Sequence, residues 1–413
     1  MKKLIPQSIK NIYHLGQAVL ANVIYGFPSK KIKVIGVTGT DGKTTTCQMV
    51  AKILEEAGHK VAMASTINFR INGTEQKNLS HFTTLSSFAV QKFTKQAVET
   101  GCEYLVLETS SHSLDQHRVW GIGYKTTVIT NVTREHLDYH KTMEKYRAAK
   151  AKLFRKAQTA IVNLDMENPQ EFLQFDNPQK ITYSLKDKKA DYLAENIESG
   201  MRGSEFQIKG TRFNLNIAGE FNVENALAAI CVGVSENVSL EKCAGALEKI
   251  QGIPGRLENV PNGKGINIIV DFALTPDAME KLYQFITHTK KTGAKLIAVF
   301  GACGERDRGK RPLIGKIASQ YADGIIITND EPYSEDPDQI IQEIVKGVEN
   351  RKDNESFWII PDRRQAIKKA LELAQSDDVV AVTGMGAEES MVVKGQKIPW
   401  NDKRVILEEL DRL

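Results

Sequence analysis

Cysteines are few and scattered in this chain. Five cysteines stand among 413 residues, and no two of them form the C-x-x-C spacing that often binds zinc or carries redox chemistry. Clustered cysteines are typical of secreted domains held by disulfides, whereas isolated thiols are typical of a reducing compartment. The pattern therefore argues against a disulfide or zinc framework and predicts a cytoplasmic protein.

The chain also lacks a strong charge of either sign. Lysine plus arginine number 55 and aspartate plus glutamate number 51, which leaves a formal net charge of +4. Proteins that bind nucleic acid usually concentrate a much larger basic excess on one face. The composition gives no reason to expect a nucleic-acid partner, and we expect small-molecule substrates instead.

A long hydrophobic run is missing as well, including from the N-terminal residues 1–30. The apolar positions there are interrupted by polar residues such as Asn11, His14 and Gln17. No run reaches the roughly 20 apolar residues that cross a bilayer. The segment therefore predicts a short amphipathic helix rather than an export signal or a membrane span, and such a helix is compatible with peripheral membrane contact.

What the sequence does contain is a repeated alternation of short apolar runs and helical patterns. It runs through residues 31–165 and resumes after residue 256, which is typical of parallel sheets covered by helices on both faces. The polar stretch 180–216 between them predicts antiparallel strands. We expect an α/β protein with two domains: residues 31–252 form a P-loop domain with a mostly parallel sheet, and residues 253–413 form a C-terminal Rossmann-like α/β domain.

The stretch GVTGTDGKTTT, residues 36–46, has the composition of a phosphate-binding loop between a strand and a helix. Backbone N–H groups and the helix N-terminus would then face a phosphate, with Lys43 on the β- and γ-phosphates and the Thr44 hydroxyl on Mg²⁺. The usual G-x-x-x-x-G-K spacing is not met, because Val37 takes the place of the first glycine. A simple glycine turn is the alternative. The predicted ATP-binding residues of the loop are Gly39, Thr40, Asp41, Gly42, Lys43, Thr44 and Thr45.

Three longer motifs point to one family. LVLETSSHSLDQHRV, ITNVTREHLDYH and MEKYRAAKAKLF follow one another along the chain. With the phosphate loop, they resemble the Mur ligases, a family related to the folylpolyglutamate and cyanophycin synthetases. They are most similar to the UDP-N-acetylmuramyl-tripeptide synthetases, which add the third residue of the peptidoglycan stem peptide. The family usually has Asn where this loop has Asp41.

A metal site is expected near the phosphate loop. Glu108 ends one apolar strand and His136 follows another, and ligands gather at the carboxyl ends of parallel strands. With the Thr44 hydroxyl, this carboxylate and imidazole suit Mg²⁺. The resemblance implies that Lys150 is carbamylated and becomes a further metal ligand, although a helical lysine taken alone is most often a solvated surface residue. Lys43, Glu108, His136 and Lys150 are the predicted catalytic residues.

The resemblance also implies nucleotide contacts outside the loop. In AGEFNVENALAA, Asn222 and Asn225 are both candidates for facing the adenine, and we favour Asn225 because an asparagine in the first turn often serves as a cap. Arg256 would reach an ATP phosphate, and Asp271 would face the ribose. Leu274 stands where the family has His, so one nucleotide contact is expected to be lost.

The acceptor site is expected around SHFTTLSSFAV, where Leu85 replaces a family proline. Arg118 is a candidate because its guanidinium suits a substrate carboxylate or phosphate. His112 is explained equally well by substrate contact and by local hydrogen bonding. The predicted acceptor contacts are Thr83, Thr84, Ser110, His112 and Arg118. Family members usually carry a uridine-nucleotide domain before the phosphate loop, and we expect that domain to be absent here.

The amine donor is expected to bind the last domain. The resemblance places the donor's α-carboxylate on Arg306, and Tyr333 replaces the arginine that clamps the distal carboxylate of diaminopimelate. The nearby acids Glu331, Glu335 and Asp336 favour a donor with a cationic side chain, although an ordinary solvated loop explains them equally well. The predicted donor site consists of Arg306, Asp330, Tyr333 and Glu388.

These features predict an ATP- and Mg²⁺-dependent ligase that joins a carboxylate to an amine through an acyl phosphate. The expected reaction adds a basic, lysine-like amino acid to an acceptor resembling UDP-N-acetylmuramyl-dipeptide, in peptidoglycan precursor synthesis, and the enzyme is expected to be a monomer. Two alternatives stay open. One is a related ligase for another cell-wall or poly-amino-acid polymer, and the other is a non-catalytic ATP-binding partner.

Overall fold

The computed structural model describes residues 6–80 and 82–413. The α-helices are α1 (Gln7–Tyr25), α2 (Lys43–Glu56), α3 (Ser87–Glu99), α4 (Ser111–Asp115), α5 (Leu137–His140), α6 (Met143–Ala151), α7 (Gln170–Leu173), α8 (Glu220–Ser235), α9 (Leu240–Glu248), α10 (Pro276–Thr289), α11 (Arg311–Tyr321), α12 (Pro337–Val345), α13 (Arg363–Leu373) and α14 (Asp402–Leu410). The predicted N-terminal amphipathic helix corresponds to α1, and residues 1–5 of that segment lie outside the described residues.

The strands belong to four sheets. They are β1 (Lys33–Thr38), β2 (Val61–Ala64), β3 (Asn68–Ile71), β4 (Thr74–Lys77), β5 (Tyr104–Glu108), β6 (Tyr124–Ile129), β7 (Thr159–Asn163), β8 (Gln179–Ser184), β9 (Tyr192–Leu193), β10 (Glu195–Gly200), β11 (Gly203–Ile208), β12 (Thr211–Leu215), β13 (Glu258–Asn259), β14 (Asn267–Asp271), β15 (Leu296–Phe300), β16 (Gly324–Ile327), β17 (Phe357–Ile359), β18 (Val379–Thr383), β19 (Ser390–Val393) and β20 (Gln396–Pro399).

The largest sheet has nine strands in the order β4-β3-β2-β5-β1-β6-β7-β8-β9. From β2 to β9 all neighbours run parallel, and β3 and β4 add an antiparallel hairpin at one edge. Strand β5 is buried along its whole length, as expected for a strand covered by helices on both faces. Helices α2 and α8 cover one face, while α3 and α6 cover the other. This arrangement brings the carboxyl ends of β1, β5 and β6 to one edge.

The polar stretch 180–216 does not fold as predicted throughout. Only β10, β11 and β12 form an antiparallel sheet, whereas β8 and β9 extend the large sheet in parallel. In β8, Ile181 and Tyr183 are buried against the α8 side, while Gln179 and Lys180 are exposed. Because a strand covered on only one face alternates in polarity, the sequence of β8 imitates an antiparallel strand. The hairpins β3–β4 and β19–β20 were not predicted.

The second large sheet has six strands in the order β13-β14-β18-β15-β16-β17. Only the edge strand β13 is antiparallel, and a hydrophobic cluster packs on each face. The predicted α/β class, with a mostly parallel sheet and a second C-terminal parallel sheet, is confirmed. The division at residue 252 falls between α9 and β13 and stays a prediction. Among residues 6–80 and 82–413, no helix has the length and hydrophobicity needed to cross a bilayer.

Candidate functional site

The glycine-rich loop between β1 and α2 approaches its neighbours so closely that side chains are excluded. A Cβ atom at Gly42 would lie 2.1 Å from Asn225 Oδ1, and the φ of Gly42 is +82°. A Cβ at Gly39 would lie 1.8 Å from Thr130 Oγ1. The loop ends at Lys43, the first residue of α2, so the N-terminus of a 14-residue helix is available to an anion.

Hydrogen bonds connect the loop to both halves of the chain. Lys43 Nζ donates to the Thr40 carbonyl at 2.7 Å and therefore folds back over the loop. The Asp41 N–H donates to Asn131 Oδ1 at 2.9 Å, and the Asp41 carboxylate accepts from Thr275 Oγ1, at the start of α10, at 3.2 Å. Burial raises the pKa of Asp41, and the charge of Lys43 opposes that rise.

Glu108 connects three of the elements that form the site. Its carboxylate oxygens each lie 3.1 Å from the donating Thr44 Oγ1. They also accept from the Thr66 N–H at 2.7 Å and from Thr66 Oγ1 at 2.9 Å. From the C-terminal half, Arg256 Nη2 donates to Thr44 Oγ1 at 3.3 Å. A buried carboxylate thus holds the Thr44 hydroxyl, the predicted Mg²⁺ ligand of the loop, in place.

Lys150, the third residue predicted to join Glu108 and His136 at the metal site, is far less exposed than a helical lysine taken alone suggests. Lys150 is buried on α6, and its Nζ donates to the Gly39 carbonyl at 2.5 Å. Burial, followed by the charge of Lys43, lowers the pKa of Lys150 well below its usual range. Burial and then His112 also lower the pKa of His136 well below the usual range. The solvated-surface alternative for Lys150 is therefore wrong.

The donor atoms of the site suit a Mg²⁺ ion whose remaining ligands come from a nucleotide. Thr44, Glu108 and His136 all line one cavity. Within the described part of the chain, no three His, Cys, Asp or Glu side chains converge closely enough to hold a metal. Mg²⁺ is usually bound by one or two carboxylates together with waters and substrate phosphates rather than by a closed protein cage, so this sparse set of ligands suits it.

The cavity has a volume of about 260 Å³ and lies between the two large sheets. The predicted site residues that line it are Thr40, Asp41, Gly42, Lys43, Thr44, Thr45, Thr83, Glu108, His136, Asn225, Arg256, Asp271, Arg306, Tyr333 and Glu388. The predicted residues that do not line it are Gly39, Thr84, Ser110, His112, Arg118, Lys150 and Asp330.

The predicted nucleotide contacts outside the loop come together. Asn225 Nδ2 donates to Asn222 Oδ1 at 3.2 Å, and Asn222 Nδ2 donates to the Ala218 carbonyl, just before α8, at 2.7 Å. Asp271 accepts from the Leu257 N–H at 2.6 Å and so holds the turn that carries Arg256. Burial raises the pKa of Asp271, and Arg256 opposes that rise. Asp271 therefore also has a structural function that its sequence did not indicate.

The predicted acceptor contacts form a network beside Glu108. Thr84 Oγ1 donates to the Glu108 carbonyl at 3.0 Å and accepts from the Ser110 N–H at 2.9 Å. Arg118 Nη1 donates to the Thr84 carbonyl at 2.8 Å, whereas Arg118 Nε is buried and has no hydrogen-bond partner among the described residues. Burial lowers the pKa of Arg118. A buried guanidinium with a spare donor suits an anionic ligand group.

A cluster of rings beside this network was not predicted. The ring of His112 lies 4.6 Å from that of His136, 4.4 Å from Tyr139 and 5.4 Å from His140, measured between centroids. Burial lowers the pKa of His112 to about 3 and that of His140 to about 4, so both are neutral near pH 7. The sequence offered one signal for this cluster. His136 and His140 are four residues apart, a spacing that places two side chains on the same face wherever a segment is helical.

Contacts between the two halves of the chain were also missed. Lys310 Nζ and Glu135 Oε1 form a buried ion pair at 3.1 Å, and the exposed Arg134 lies 3.5 Å from Asp307. The partners Lys310 and Glu135 are 175 residues apart in sequence. No local pattern connects residues at that separation, so only the fold reveals the pair.

The donor end of the cavity is acidic. Tyr333 Oη donates to Glu331 Oε2 at 3.0 Å, and the Arg306 guanidinium lies 5.5 Å from the Tyr333 ring centroid. Burial, reinforced by the charge of Glu331, raises the pKa of Glu388 to about 7. Burial also raises the pKa of Asp330 to about 7. Asp330 does not itself line the cavity.

Two of the acids expected to attract a cationic donor are occupied elsewhere. Glu335 pairs with Arg308 at 2.9 Å and with Arg311 at 3.0 Å. Asp336 caps α12 by accepting from the Asp338 N–H at 3.1 Å. Both acids therefore stabilise the loop, and of the three expected acids only Glu331 lines the cavity.

Comparison with known proteins shows which family has this arrangement. Residues 37–233 match the Mur ligase middle domain, and residues 255–386 match the domain described as "Mur ligase, glutamate ligase domain". The chain belongs to the Mur ligase family. This Mur ligase is an ATP- and Mg²⁺-dependent acid–amino-acid ligase of peptidoglycan synthesis, which disfavours the alternative of a non-catalytic partner.

Curated relatives show which members of the family this chain is similar to. The chain is 42% identical over 402 residues to the UDP-N-acetylmuramoyl-L-alanyl-D-glutamate–2,6-diaminopimelate ligase of Clostridium tetani, covering 96% of this chain and 81% of the relative. It is 37% identical over 408 residues to the UDP-N-acetylmuramyl-tripeptide synthetase of Roseiflexus sp., covering 93% and 80%.

Solved structures agree on the fold. A UDP-N-acetylmuramoyl-L-alanyl-D-glutamate–2,6-diaminopimelate ligase superposes with a TM-score of 0.63 at 32% identity, covering 92% of this chain and 78% of that one. The folylpolyglutamate synthase of Mycobacterium tuberculosis, complexed with ADP and AMPPCP, gives a TM-score of 0.73 at 16% identity, covering 90% and 92%. At that identity, the second likeness shows the fold alone.

Replacing Gly42 by alanine should weaken nucleotide binding at least about tenfold, because a Cβ there meets Asn225 at 2.1 Å and overpacking costs about 1–3 kcal/mol. Gly73 is the matched control, since its φ of +84° is similar but its Cβ would meet nothing within 4 Å. Calorimetric titration with ATP and Mg²⁺ measures both variants. An equal loss of affinity in the two would show that backbone strain, not the close approach, is responsible.

Proposed function

We propose that this Mur ligase adds a basic amino acid of the lysine or ornithine type to a UDP-N-acetylmuramyl-dipeptide acceptor. The observation that carries the proposal is the acidic donor end of the cavity. Tyr333 donates to Glu331 there, and burial together with the charge of Glu331 raises the pKa of Glu388. A donor ammonium group would relieve the cost of the buried negative charge, whereas a second carboxylate on the donor would increase it.

A second candidate donor is diaminopimelate, because most of the similar curated relatives are named as diaminopimelate ligases. Diaminopimelate carries an ammonium group and a carboxylate at its distal end. Arg306 is the cation near Tyr333, and under our proposal it binds the donor's α-carboxylate. The distal carboxylate would then face Glu331 without a matching arginine, so we favour the donor that lacks it.

The chemistry that the cavity supports is acyl transfer by positioning and charge neutralisation. The acceptor carboxylate would be phosphorylated by ATP, and the donor amine would then displace phosphate to form the amide. Lys43 and Arg256 line the phosphate end and would neutralise charge there. Thr44, Glu108 and His136 would hold Mg²⁺, which supplies charge shielding when bound. Arg118, with its unpaired Nε, would bind an anionic group of the acceptor.

We also propose that Lys150 is carbamylated, as the family resemblance implies. Carbamylation requires a neutral amine that attacks CO₂, and burial next to Lys43 lowers the pKa of Lys150 accordingly. The product would be an anion lying over the glycine loop, where the Lys150 Nζ already reaches the Gly39 carbonyl. A negative charge there would be compensated by the neighbouring cations and the metal.

Location in the cytoplasm and a monomeric state stay predictions. All five thiols are free and buried, which is compatible with a reducing compartment.

Donor choice is tested by phosphate release from ATP with the acceptor present and one of L-lysine, L-ornithine or meso-diaminopimelate added. We expect release that depends on both substrates and is fastest with a basic donor. Tyr333→Arg should shift the preference toward diaminopimelate by about tenfold or more, because it adds a bidentate partner for the distal carboxylate. Tyr333→Phe is the matched control and should not create that shift. Faster release with diaminopimelate by the unchanged enzyme would refute the donor assignment while leaving the ligase reaction intact.

The pKa of Glu388 predicts a pH effect on the donor. Its carboxyl has a pKa of about 7, so it is mostly protonated below pH 7 and becomes a partner for a cation as the pH rises. The KM for the basic donor should therefore fall several-fold between pH 6 and pH 8, with little change in the KM for ATP. Glu388→Gln should remove this dependence. A KM that stays constant over the range in the unchanged enzyme contradicts the assigned contact.

Lys150→Ala should lower kcat by about 100-fold or more, since loss of an anionic metal partner costs at least what outer-shell changes do. Added acetate or formate should restore part of the activity by replacing the carbamate. The control is Lys152→Ala. Lys152 lies on the same segment as Lys150, but it pairs with Asp115 of α4 at 2.7 Å. Full activity of Lys150→Ala without any added carboxylate would exclude the carbamate.

A further inference from the structure

Helix α1 packs with its small and polar face inward. Its buried residues are Ala18, Ala21 and Asn22. Asn22 Nδ2 donates to the Ala18 carbonyl at 2.9 Å and to the Trp120 carbonyl at 2.8 Å. A surface helix of a globular protein normally buries its large apolar residues and exposes its polar ones. Here that order is reversed, so packing against the enzyme does not explain the apolar residues of α1.

The opposite face of α1 is a continuous apolar strip in solvent. Ile12 is 71% exposed, Tyr13 65% and Val23 62%. At about 100° per residue, the exposed large apolar residues fall within an arc of about 140° that contains no charged side chain. The strip, which we name the α1 outer face, consists of Ile9, Ile12, Tyr13, Val19, Leu20, Val23 and Ile24. Contiguous exposed patches of this kind mark interaction sites.

The charge on α1 and directly after it has one sign. The first 40 residues of the sequence contain six lysines and no aspartate or glutamate. Lys10 lies beside the apolar arc, and the exposed Lys30 and Lys31 follow the end of the helix. Helix α3 packs against α1 and adds the exposed Lys92, whereas its Lys95 is paired with Glu99 at 3.7 Å. An apolar strip flanked by lysines is complementary to a surface that combines hydrocarbon with negative charge.

We propose that the α1 outer face docks on an anionic membrane surface and makes this ligase a peripheral membrane protein. Of the described residues, α1 has the longest exposed apolar strip, yet it is not hydrophobic enough to span a bilayer. A second copy is the less suitable occupant, because two such faces would bring lysines together with no acidic residue on the helix to match them. Anionic headgroups neutralise the same lysines, and the interface accepts the strip.

The proposal is tested with the full chain and vesicles of phosphatidylglycerol with phosphatidylcholine, compared with phosphatidylcholine alone. We expect co-sedimentation with the anionic vesicles that weakens at high salt. Trp120 is 40% exposed and adjoins Asn22 of α1, so its fluorescence should shift to shorter wavelength on binding. The other tryptophans lie elsewhere: Trp358 is in β17 and Trp400 precedes α14.

A triple substitution tests whether vesicle binding depends on the α1 outer face rather than on nonspecific adsorption of the protein. Ile9→Gln, Ile12→Gln and Val23→Gln together should reduce vesicle binding at least about tenfold, because they remove apolar area that enters the interface. All three side chains are exposed, so ATP turnover in buffer should not change. The matched control changes exposed apolar residues elsewhere, Ile398→Gln and Leu407→Gln, and should bind like the unchanged chain.

A second variant tests the charge. Lys10→Gln, Lys30→Gln and Lys31→Gln together should reduce binding to anionic vesicles at least about tenfold and make it insensitive to salt. The proposal is overturned if the unchanged chain fails to bind anionic vesicles, or binds both vesicle types equally. It is also overturned if light scattering shows a dimer that the α1 triple variant dissociates, without vesicle binding, because the face would then join two copies.

Discussion

The site depends on one buried carboxylate at the end of a parallel strand. Glu108 cannot be solvated where it lies, so its charge has to be satisfied by the donors of Thr44 and Thr66 and by whatever cation binds beside them. Those donors lie on the helix after β1 and the turn after β2. The requirement to satisfy one charge therefore fixes the relative positions of the glycine-rich loop, the Thr44 hydroxyl and the neighbouring turn.

The same requirement extends to the second half of the chain. Arg256 donates to the hydroxyl of Thr44, and Thr275 donates to the carboxylate of Asp41. Asp41 stands where the family usually has asparagine, and an asparagine oxygen could accept the same bond without the cost of a buried charge. The raised pKa of Asp41 reflects that cost. A bound nucleotide, whose magnesium complex still carries a net negative charge, would bring that charge toward Asp41, so this site couples ligand charge to the contact between the two halves.

Much of this architecture follows from local sequence, because buried parallel strands are short apolar runs and β1, β5 and β18 are recognisable as such. The glycine loop and the ends of β5 and β6 likewise placed Glu108 and His136 at one edge of a sheet. Strand β8 was predicted wrongly, since burial on one face gives the alternating polarity of an antiparallel strand. The functions of Glu335 and Asp336 could not be read from composition. An acidic loop looks the same whether its carboxylates face a substrate, pair with arginines or cap a helix.

Helix α1 shows why burial has to be known before an amphipathic pattern is interpreted. Its sequence predicts an amphipathic helix whichever face turns inward, and only the packing of Asn22 under Trp120 shows that the apolar side remains outside. The inner side is connected to the acceptor network: Asn11 Nδ2 donates to Asp115, and Asp115 also accepts from Tyr139, whose ring contacts His112. Three successive side-chain contacts thus link α1 to His112, one of the predicted acceptor residues, so docking at the α1 outer face would bring that end of the cleft toward the membrane.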